Sequence, residues 1–327
     1  MSIHVDGLGH WQRITLDNGV LRASVLPELG GKMISLVRQA SGREFLLPPT
    51  REYRRAAWGD KFEDFDTSGF DECLPTVAEG QYVDGHCPRR KFPDHGDLWS
   101  VPWQYEVLRE ELLLSALGSS LPYTFRKKLR FDGNQLVIEY EIQNMSNLAF
   151  AYLWSAHPLL QVEAGARVLL PDDVRELLIH WSNDKRLGKA GESCAYPLAK
   201  TTDGEVENLA IVKPPSAGTA DKLFTPRLKT GFCGLYFPRS HESIAFRFDA
   251  MATHYVGLWL CQGGWPNSSA QKHFTIALEP CNSRSDSLAE AVGRGACPVL
   301  AARSSERWIL RIELCSGIPD FNSLPTR

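Results

Sequence analysis

Four short stretches of the sequence carry ionisable side chains in settings suited to proton transfer or to binding a polar ligand. The apolar run FTIALEP (274–280) contains Glu279 near its end, and an unpaired charge buried in such a run is costly. His157 lies within YLWSAHPLLQV, His95 lies in FPDHGDLWS, and Asp221 lies in ADKLF after the Pro- and Gly-rich stretch KPPSAGT. A carboxylate and a histidine that meet in space provide a base and an acid for proton transfer.

Each of these residues also has an ordinary structural interpretation. Glu279 could be a strand-end residue that faces water, His157 a satisfied core histidine, and Asp221 a turn or cap residue. Gly96, directly after His95, would let the backbone approach a ligand closely. The sequence contains no G-x-S-x-G, H-E-x-x-H, Walker or G-x-G-x-x-G motif that would point to other chemistry. Because the four stretches are far apart, they can meet only if strands bring them onto one sheet face.

Strand patterns dominate the elements that must position these residues. YTFRKKLRF and QLVIEYEIQN meet at the turn DGN (132–134), and GFCGLYF and SIAFRFD flank PRSHE, so two hairpins are predicted. LRASVLP and KMISLV flank a Gly-Gly turn, and YVGLWL, FTIALEP and RWILRIEL read as later strands. One short helix is predicted in SDSLAEAVGRG (285–295), capped by Ser285 or Asp286. This pattern predicts an all-β chain with long loops, arranged as a β-sandwich.

The segment from about 50 to 100 has no clear period and mixes charged, aromatic and glycine residues. Long irregular segments within compact domains are often functional. Its arginines Arg51, Arg54 and Arg55 could meet a phosphate, although a solvated loop face is the more common outcome. The nine Trp and nine Tyr residues of the chain offer flat faces that suit sugar rings, although most such residues belong to cores.

Composition excludes several classes of function. The 327 residues carry a formal net charge of −3 without a long basic block, which argues against nucleic acid and anionic membranes as partners. No apolar run approaches the roughly 20 residues that span a bilayer. The N-terminus lacks a signal-peptide pattern, and the eight dispersed cysteines form no C-x-x-C pair. We therefore expect free thiols, a cytoplasmic location and no zinc site.

The order of these segments resembles the aldose 1-epimerase (galactose mutarotase-like) superfamily. LDNGVLRASVLPELGGKMISLV and the following SGRE resemble its opening strands, and DHGDLWS, AHPLL, DKLF and IALEP resemble its later segments in the same order. The resemblance implies a single domain over 1–327, a β-supersandwich of two large twisted antiparallel sheets, and a pyranose-binding cleft. It further implies interconversion of α and β anomers of an aldose, with no metal or redox cofactor.

The resemblance also implies roles for individual residues. Glu279 would take the proton of the anomeric hydroxyl, and His157 would give a proton to the ring oxygen. His95 and Asp221 would bind sugar oxygens, Asp221 from a loop at the rim of the cleft. Further candidates for lining the cleft are Asp71, Glu72 and Lys32. Trp259 could stack on the sugar, although a place in the core is an equally good interpretation.

Three alternatives stay open at this stage, because PLLQV after His157 and SGFDECLPTV before the His-Gly pair depart from the family pattern. The chain could be a carbohydrate-binding protein without catalysis. It could be a glycoside hydrolase or lyase, in which Asp71 or Glu72 would supply a second carboxylate. The substrate could also be phosphorylated or otherwise acidic, with cations available from Arg51, Arg54, Arg55, Arg89, Arg90 and Lys91. The oligomeric state is not predicted.

Overall fold

The structure, a computed structural model, describes residues 1–84 and 87–320, and it describes side chains outside 82–89. In chain order the strands are β1 (Ser2–Leu8), β2 (Trp11–Asp17), β3 (Leu21–Leu26), β4 (Lys32–Arg38), β5 (Arg43–Glu44), β6 (Phe70–Cys73), β7 (Gly80–Asp84), β8 (Cys87–Phe92), β9 (Gln104–Val107), β10 (Leu112–Leu117), β11 (Tyr123–Asp132), β12 (Gln135–Asn144), β13 (Phe150–Ala151), β14 (Ser155–Leu160), β15 (Arg167–Leu169), β16 (Glu176–Ser182), β17 (Ser193–Ala195), β18 (Leu198–Lys200), β19 (Val206–Asn208), β20 (Thr219–Phe224), β21 (Phe232–Phe237), β22 (Glu242–Phe248), β23 (Tyr255–Gln262), β24 (Phe274–Cys281), β25 (Val299–Leu300) and β26 (Ser305–Ser316). The one α-helix in the described residues is α1 (Leu288–Gly293), and short 3-10 helices cover Phe62–Asp64, Leu98–Ser100, Asn183–Lys185 and Pro215–Ala217.

Two large antiparallel sheets form the body of the molecule. The first has twelve strands in the order β1-β2-β3-β4-β6-β14-β24-β23-β20-β16-β17, with β5 paired to β4. The second has eight strands in the order β15-β21-β22-β26-β12-β11-β10-β9. The prediction of an all-β sandwich is confirmed. Among the described residues, no helix is long and apolar enough to cross a membrane.

The main apolar core lies between the two sheets. Leu258 and Leu278 of the twelve-stranded sheet belong to the same buried cluster as Tyr140 and Ile312 of the eight-stranded sheet. Side chains alternate between the two faces of a strand, so each strand of the twelve-stranded sheet also has an outer face, directed away from this core.

The irregular segment predicted between 50 and 100 covers part of that outer face. Phe62 and Phe65 from this segment pack with Trp99, and they form a second buried cluster with Leu159 and Ala277 of the sheet. A wall of apolar side chains is thereby built above the outer face, and it leaves a cavity beside it.

The predicted helix is present but shorter than SDSLAEAVGRG. It spans Leu288–Gly293, and its N-cap is Ser287, whose hydroxyl accepts a hydrogen bond from the backbone N–H of Glu290. The prediction of Ser285 or Asp286 as the cap was therefore wrong. Residues 321–327, which were counted in the single predicted domain, lie outside the described residues.

Candidate functional site

Strand register places a row of polar residues across the outer face of the twelve-stranded sheet. Asp71 of β6 is the cross-strand partner of His157 on β14. The flanking pairs Ser155–Cys281 and Leu159–Ala277 then set His157 opposite Glu279 on β24. Since directly opposite residues in an antiparallel sheet share a face, the base and acid suggested by the sequence lie side by side.

A cavity of about 550 Å³ opens on this face. Its lining includes four of the residues proposed from the sequence, Glu279, His157, His95 and Trp259. Such a volume lies within the roughly 300–1,000 Å³ typical of ligand sites. The remaining lining residues are Lys61, Phe62, Glu63, Thr67, Val77, Ala78, Glu79, Asp94, Leu159, His180, Trp181, Lys222, Trp265, His273 and Asp286.

Glu279 is 1% exposed and does not lie at a solvent-facing strand end. Its Oε2 accepts a hydrogen bond from the Nζ of Lys222, which also lies 3.6 Å from a carboxylate oxygen of Asp286. Its Oε1 has no hydrogen-bond partner among the described residues. Burial raises the pKa of Glu279, and the Lys222 ammonium opposes that rise. The carboxylate thus keeps one oxygen paired and one oxygen available.

His157 is also buried, with 6% exposure, and its Nδ1 has no hydrogen-bond partner within the described part of the chain. Burial lowers the pKa of His157 well below its ordinary value, and the neighbouring His95, Lys222 and Lys32 lower it further. Burial raises the pKa of the carboxyl and lowers that of the imidazole, so it favours the uncharged form of both side chains.

His95 reaches the cavity from a loop above the sheet. Its Nδ1 lies 3.0 Å from the Oδ1 of Asp94, and its ring stacks on Phe62 with 4.2 Å between ring centroids. The His95 and His157 rings meet edge to face at 4.9 Å. A carboxylate on one ring nitrogen and an aromatic face below the ring fix the direction of the other nitrogen.

Gly96 has a different function from the one expected. Its φ is +74°, and a Cβ built there would lie 2.2 Å from the backbone oxygen of Leu74. The glycine therefore allows the loop to approach the chain at Leu74, not a ligand.

Three tryptophans form one wall of the cavity. Trp259 lies on β23 opposite Lys222 of β20, and Lys222 lies opposite Trp181 of β16. The ring centroids of Trp181 and Trp259 are 5.8 Å apart, and those of Trp259 and Trp265 are also 5.8 Å apart. All three tryptophans are partly exposed, and all three line the cavity.

Asp221 does not lie where it was predicted. It is an internal residue of β20, is fully buried, and pairs opposite Leu260, a residue of the main core. One carboxylate oxygen pairs with the guanidinium of Arg186, and the other accepts a hydrogen bond from the Ser182 hydroxyl at 2.6 Å. The placement at a loop on the cleft rim was wrong, because strand alternation turns Asp221 inward and its neighbour Lys222 outward.

Glu72 is a second inward-facing residue. It is bonded to the Nζ of Lys127 at 2.8 Å and to the Tyr140 hydroxyl at 3.0 Å, both from the eight-stranded sheet. Glu72 is therefore buried between the two sheets and does not line the cavity.

Asp71 and Lys32 share the outer face with His157 but also lie outside the cavity lining. The Lys32 Nζ is 3.2 Å from Asp71 and also pairs with Asp66. Burial raises the pKa of Asp71 to about 6, and Lys32 opposes the rise. These residues form a buried ion-pair group beneath the segment that covers the sheet.

The arginines considered for phosphate binding have other partners. Arg51 donates to the backbone oxygen of Glu63, Arg54 to that of Asp64, and Arg55 to that of Glu28. Arg90 donates to the Ser120 backbone oxygen, Lys91 is exposed, and the side chain of Arg89 lies outside the described residues. Among the described residues, none of these cations lines the cavity.

Sequence reasoning missed several cavity residues. The period of two in ADKLF sets Lys222 on the opposite face from Asp221, but it does not tell which of the two faces the cavity. Asp94 stands directly before His95, where a carboxylate can orient an imidazole. His180, Trp181, Trp265 and Asp286 carried no local signal that distinguishes them from other polar or aromatic residues.

One group of side chains could hold a soft divalent cation. The ligand atoms of Cys73, His95 and His157 all lie within 4.8 Å of one another, and we call these three residues the soft-ligand cluster. Thiolate and imidazole are the ligand types that zinc prefers. An ion bound there would occupy His157 and remove it from proton transfer.

Comparisons with known proteins agree with this architecture. A structure of the Slr1438 protein from Synechocystis sp. PCC 6803 superposes with a TM-score of 0.69 at 16% identity, covering 97% of this chain and 99% of that one. A galactose mutarotase-like protein from Clostridium acetobutylicum gives a TM-score of 0.68 at 15% identity, covering 96% and 98%. A galactose mutarotase related enzyme from Lactobacillus acidophilus gives 0.68 at 12% identity, covering 92% and 97%.

The chain has the galactose mutarotase-like fold. At these low identities the likeness shows the fold alone. No family model matches the sequence, and no curated protein matches it.

Proposed function

We propose that the protein interconverts the α and β anomers of a free aldose. The observation that carries the proposal is that two buried polar atoms of cavity-lining residues, Oε1 of Glu279 and Nδ1 of His157, have no hydrogen-bond partner in the part of the chain that the structure describes. A buried polar atom left without a partner costs on the order of 1–3 kcal/mol. The two atoms belong to facing residues of adjacent strands, so a ligand that satisfies one is in reach of the other.

The reaction needs only proton transfer and cleavage of one C–O bond. Glu279 removes the proton of the anomeric hydroxyl while His157 supplies a proton to the ring oxygen, and the bond from the anomeric carbon to that oxygen breaks. The resulting aldehyde end rotates, and the ring closes on its other face with the two residues in exchanged roles. His95, held by Asp94, donates to a sugar oxygen and fixes its position.

The charges around the cavity favour an uncharged aldose over a sugar phosphate. Among the described residues, five carboxylates and two lysines line the cavity. Both lysines are paired: Lys222 with Glu279 and Asp286, and Lys61 with Glu79. In the described part of the chain no arginine, the usual partner of phosphate, lines the cavity. The acidic-sugar alternative therefore loses its support.

The hydrolase alternative also loses its original support, because Glu72 lies between the sheets and Asp71 is paired with Lys32. Of the other carboxylates that line the cavity, Asp94 is bound to His95, Asp286 lies 3.4 Å from His180, Glu79 pairs with Lys61, and Glu63 is exposed. The residues opposite Glu279 in the sheet are Gly257 and His157, neither of which supplies a second carboxylate. Incubation with an oligosaccharide should therefore produce no new reducing ends.

Saturation-transfer NMR of anomeric exchange tests the proposal directly, across a panel of aldoses and sugar phosphates. Glu279→Gln and His157→Asn should each lower the exchange rate by about 10²–10⁴, since each removes a proton-transfer group. Glu176→Gln, an exposed carboxylate on β16, is the matched control and should keep the parent rate.

Exchange at the parent rate in folded Glu279→Gln would show that Glu279 is structural. Sugar binding without exchange in the parent protein would instead support the non-catalytic alternative. Circular dichroism of each variant establishes that loss of rate is not loss of fold.

A further inference from the structure

We propose that the cavity contains a second sugar subsite, built around Trp265, and that the substrate is an aldose whose ring carries a further glycosyl unit. This inference rests on the proposed function, because the subsite is defined relative to Glu279. The observation behind it is the extent and the aromatic lining of the cavity beyond the proton-transfer pair.

The cavity extends along β23 and β24, away from Glu279. Gly257 of β23 lies opposite Glu279, and Trp259 follows two residues later on the same face, roughly 7 Å along the strand. Trp265 and His273 belong to the connection between these two strands, beyond the ends of both, and they also line the cavity. The lining thus continues past the place where a single ring would contact Glu279 and Trp259.

Trp265 is held as a fixed platform. Its backbone oxygen accepts the N–H of His273 at 2.7 Å, and the N–H of Gly263 donates to the His273 oxygen at 2.9 Å. Gly263 has a φ of +86°, and a Cβ built there would lie 1.9 Å from the Pro215 oxygen, so the connection packs directly on neighbouring backbone. The plane of the Trp265 indole makes angles of 85° with the Trp259 ring and 83° with the His273 ring. Contacts with these two rings fix the orientation of the indole.

The three indoles remain partly exposed although they lie in a concave wall. Apolar surface left in contact with water costs about 25 cal/mol per Å² relative to burial, and an indole presents a large area. A pyranose that stacks with its C–H face on an aromatic ring removes that apolar surface from water. Trp259 and Trp265, at a steep angle to each other, would receive two successive rings that are not coplanar.

The position of the free reducing end follows from the same geometry. Only the ring beside Glu279 and His157 undergoes exchange, so the sugar there must have a free anomeric carbon. The ring on Trp265 must then be attached through one of the other hydroxyls of the reducing sugar. The substrate class is a reducing disaccharide or a longer oligosaccharide with a free reducing end.

The experiment compares glucose with cellobiose and maltose in the NMR exchange assay. At least one disaccharide should show kcat/KM about tenfold above that of glucose. Trp265→Ala should remove that advantage, so that kcat/KM for the disaccharide falls to within about twofold of the value for glucose in the same variant. Trp265→Phe, which keeps an aromatic face, should restore most of it. Calorimetric binding of the same sugars to Glu279→Gln measures the subsite without turnover.

The outcomes separate this inference from the proposed function. If glucose exchanges but neither disaccharide gains over it, or if Trp265→Ala weakens glucose and disaccharide equally, the second subsite is refuted and the mutarotase activity stands. If no sugar exchanges although a disaccharide binds better than glucose through Trp265, the proposed activity fails and the subsite stands. Cleavage of the disaccharides during the assay would overturn the proposed anomer exchange and the reducing-sugar substrate, whereas the second subsite would stand.

Discussion

Asp221→Ala distinguishes a structural carboxylate from a sugar-binding one. Asp221 is fully buried and pairs with Arg186, and Ser182 donates to its second oxygen. Removal of one member of a buried ion pair costs about 3–5 kcal/mol. Arg186 keeps Glu207 as a partner, so the lower end of that range is expected. The unfolding entropy of 327 residues is about 0.7 kcal/mol per kelvin, so a loss of about 3 kcal/mol should lower the melting temperature by about 4 °C.

The assay combines calorimetric melting with NMR anomer exchange on the folded protein. The melting temperature of Asp221→Ala should fall by the amount given above. KM for the best aldose should stay within about twofold of the parent value, because the Asp221 side chain points away from the cavity. The control is a cycle with Arg186→Met: the two losses of stability should be less than additive, since they break the same pair. A tenfold rise in KM with an unchanged melting temperature would refute the inward placement of Asp221.

Three further predictions concern the cavity. A Cβ on Gly257 would lie 3.0 Å from Oε2 of Glu279, so Gly257→Ala should displace the carboxylate and lower the exchange rate by about tenfold to a hundredfold. The control is Gly7→Ala, because a Cβ on Gly7 would have no atom nearer than 3.9 Å. This control should leave the exchange rate measured by NMR unchanged. Because the folded-state pKa of His157 lies well below its ordinary 6.5, its contribution to stability is complete above about pH 6.5 and is lost as the pH falls below that value towards the folded pKa. His157→Asn should reduce the dependence of the melting temperature on pH below about pH 6.5. An unchanged slope in the variant would contradict the lowered pKa of His157. Zn²⁺ should inhibit anomer exchange by binding to the soft-ligand cluster, and EDTA should reverse this inhibition. Cys73→Ser should raise the inhibitory Zn²⁺ concentration by about tenfold. Equal inhibition of the parent and the variant would exclude the cluster as the binding site.

The sequence by itself determined the local elements of this protein. The hairpin of β11 and β12 turns at the predicted DGN, and β21 and β22 turn at PRSHE, because strand alternation and turn residues act over a few neighbouring positions. The strand that carries Glu279 was also predicted from its apolar pattern. Only the order of the segments, through the family resemblance, led from these elements to the supersandwich.

Tertiary structure alone decided which residues meet. In ADKLF both strand faces are buried, so the pattern does not tell which face Asp221 or Lys222 occupies. Since side chains alternate, a change of one residue in the strand register would exchange the two faces. In the observed register Asp221 pairs with Arg186 and Lys222 pairs with Glu279. The same holds for Asp71 and Glu72, which are adjacent in sequence but lie on opposite faces of one sheet. The partner of Lys222, Glu279, and the partner of Glu72, Lys127, are each more than fifty residues away, and only the sheet register brings them together.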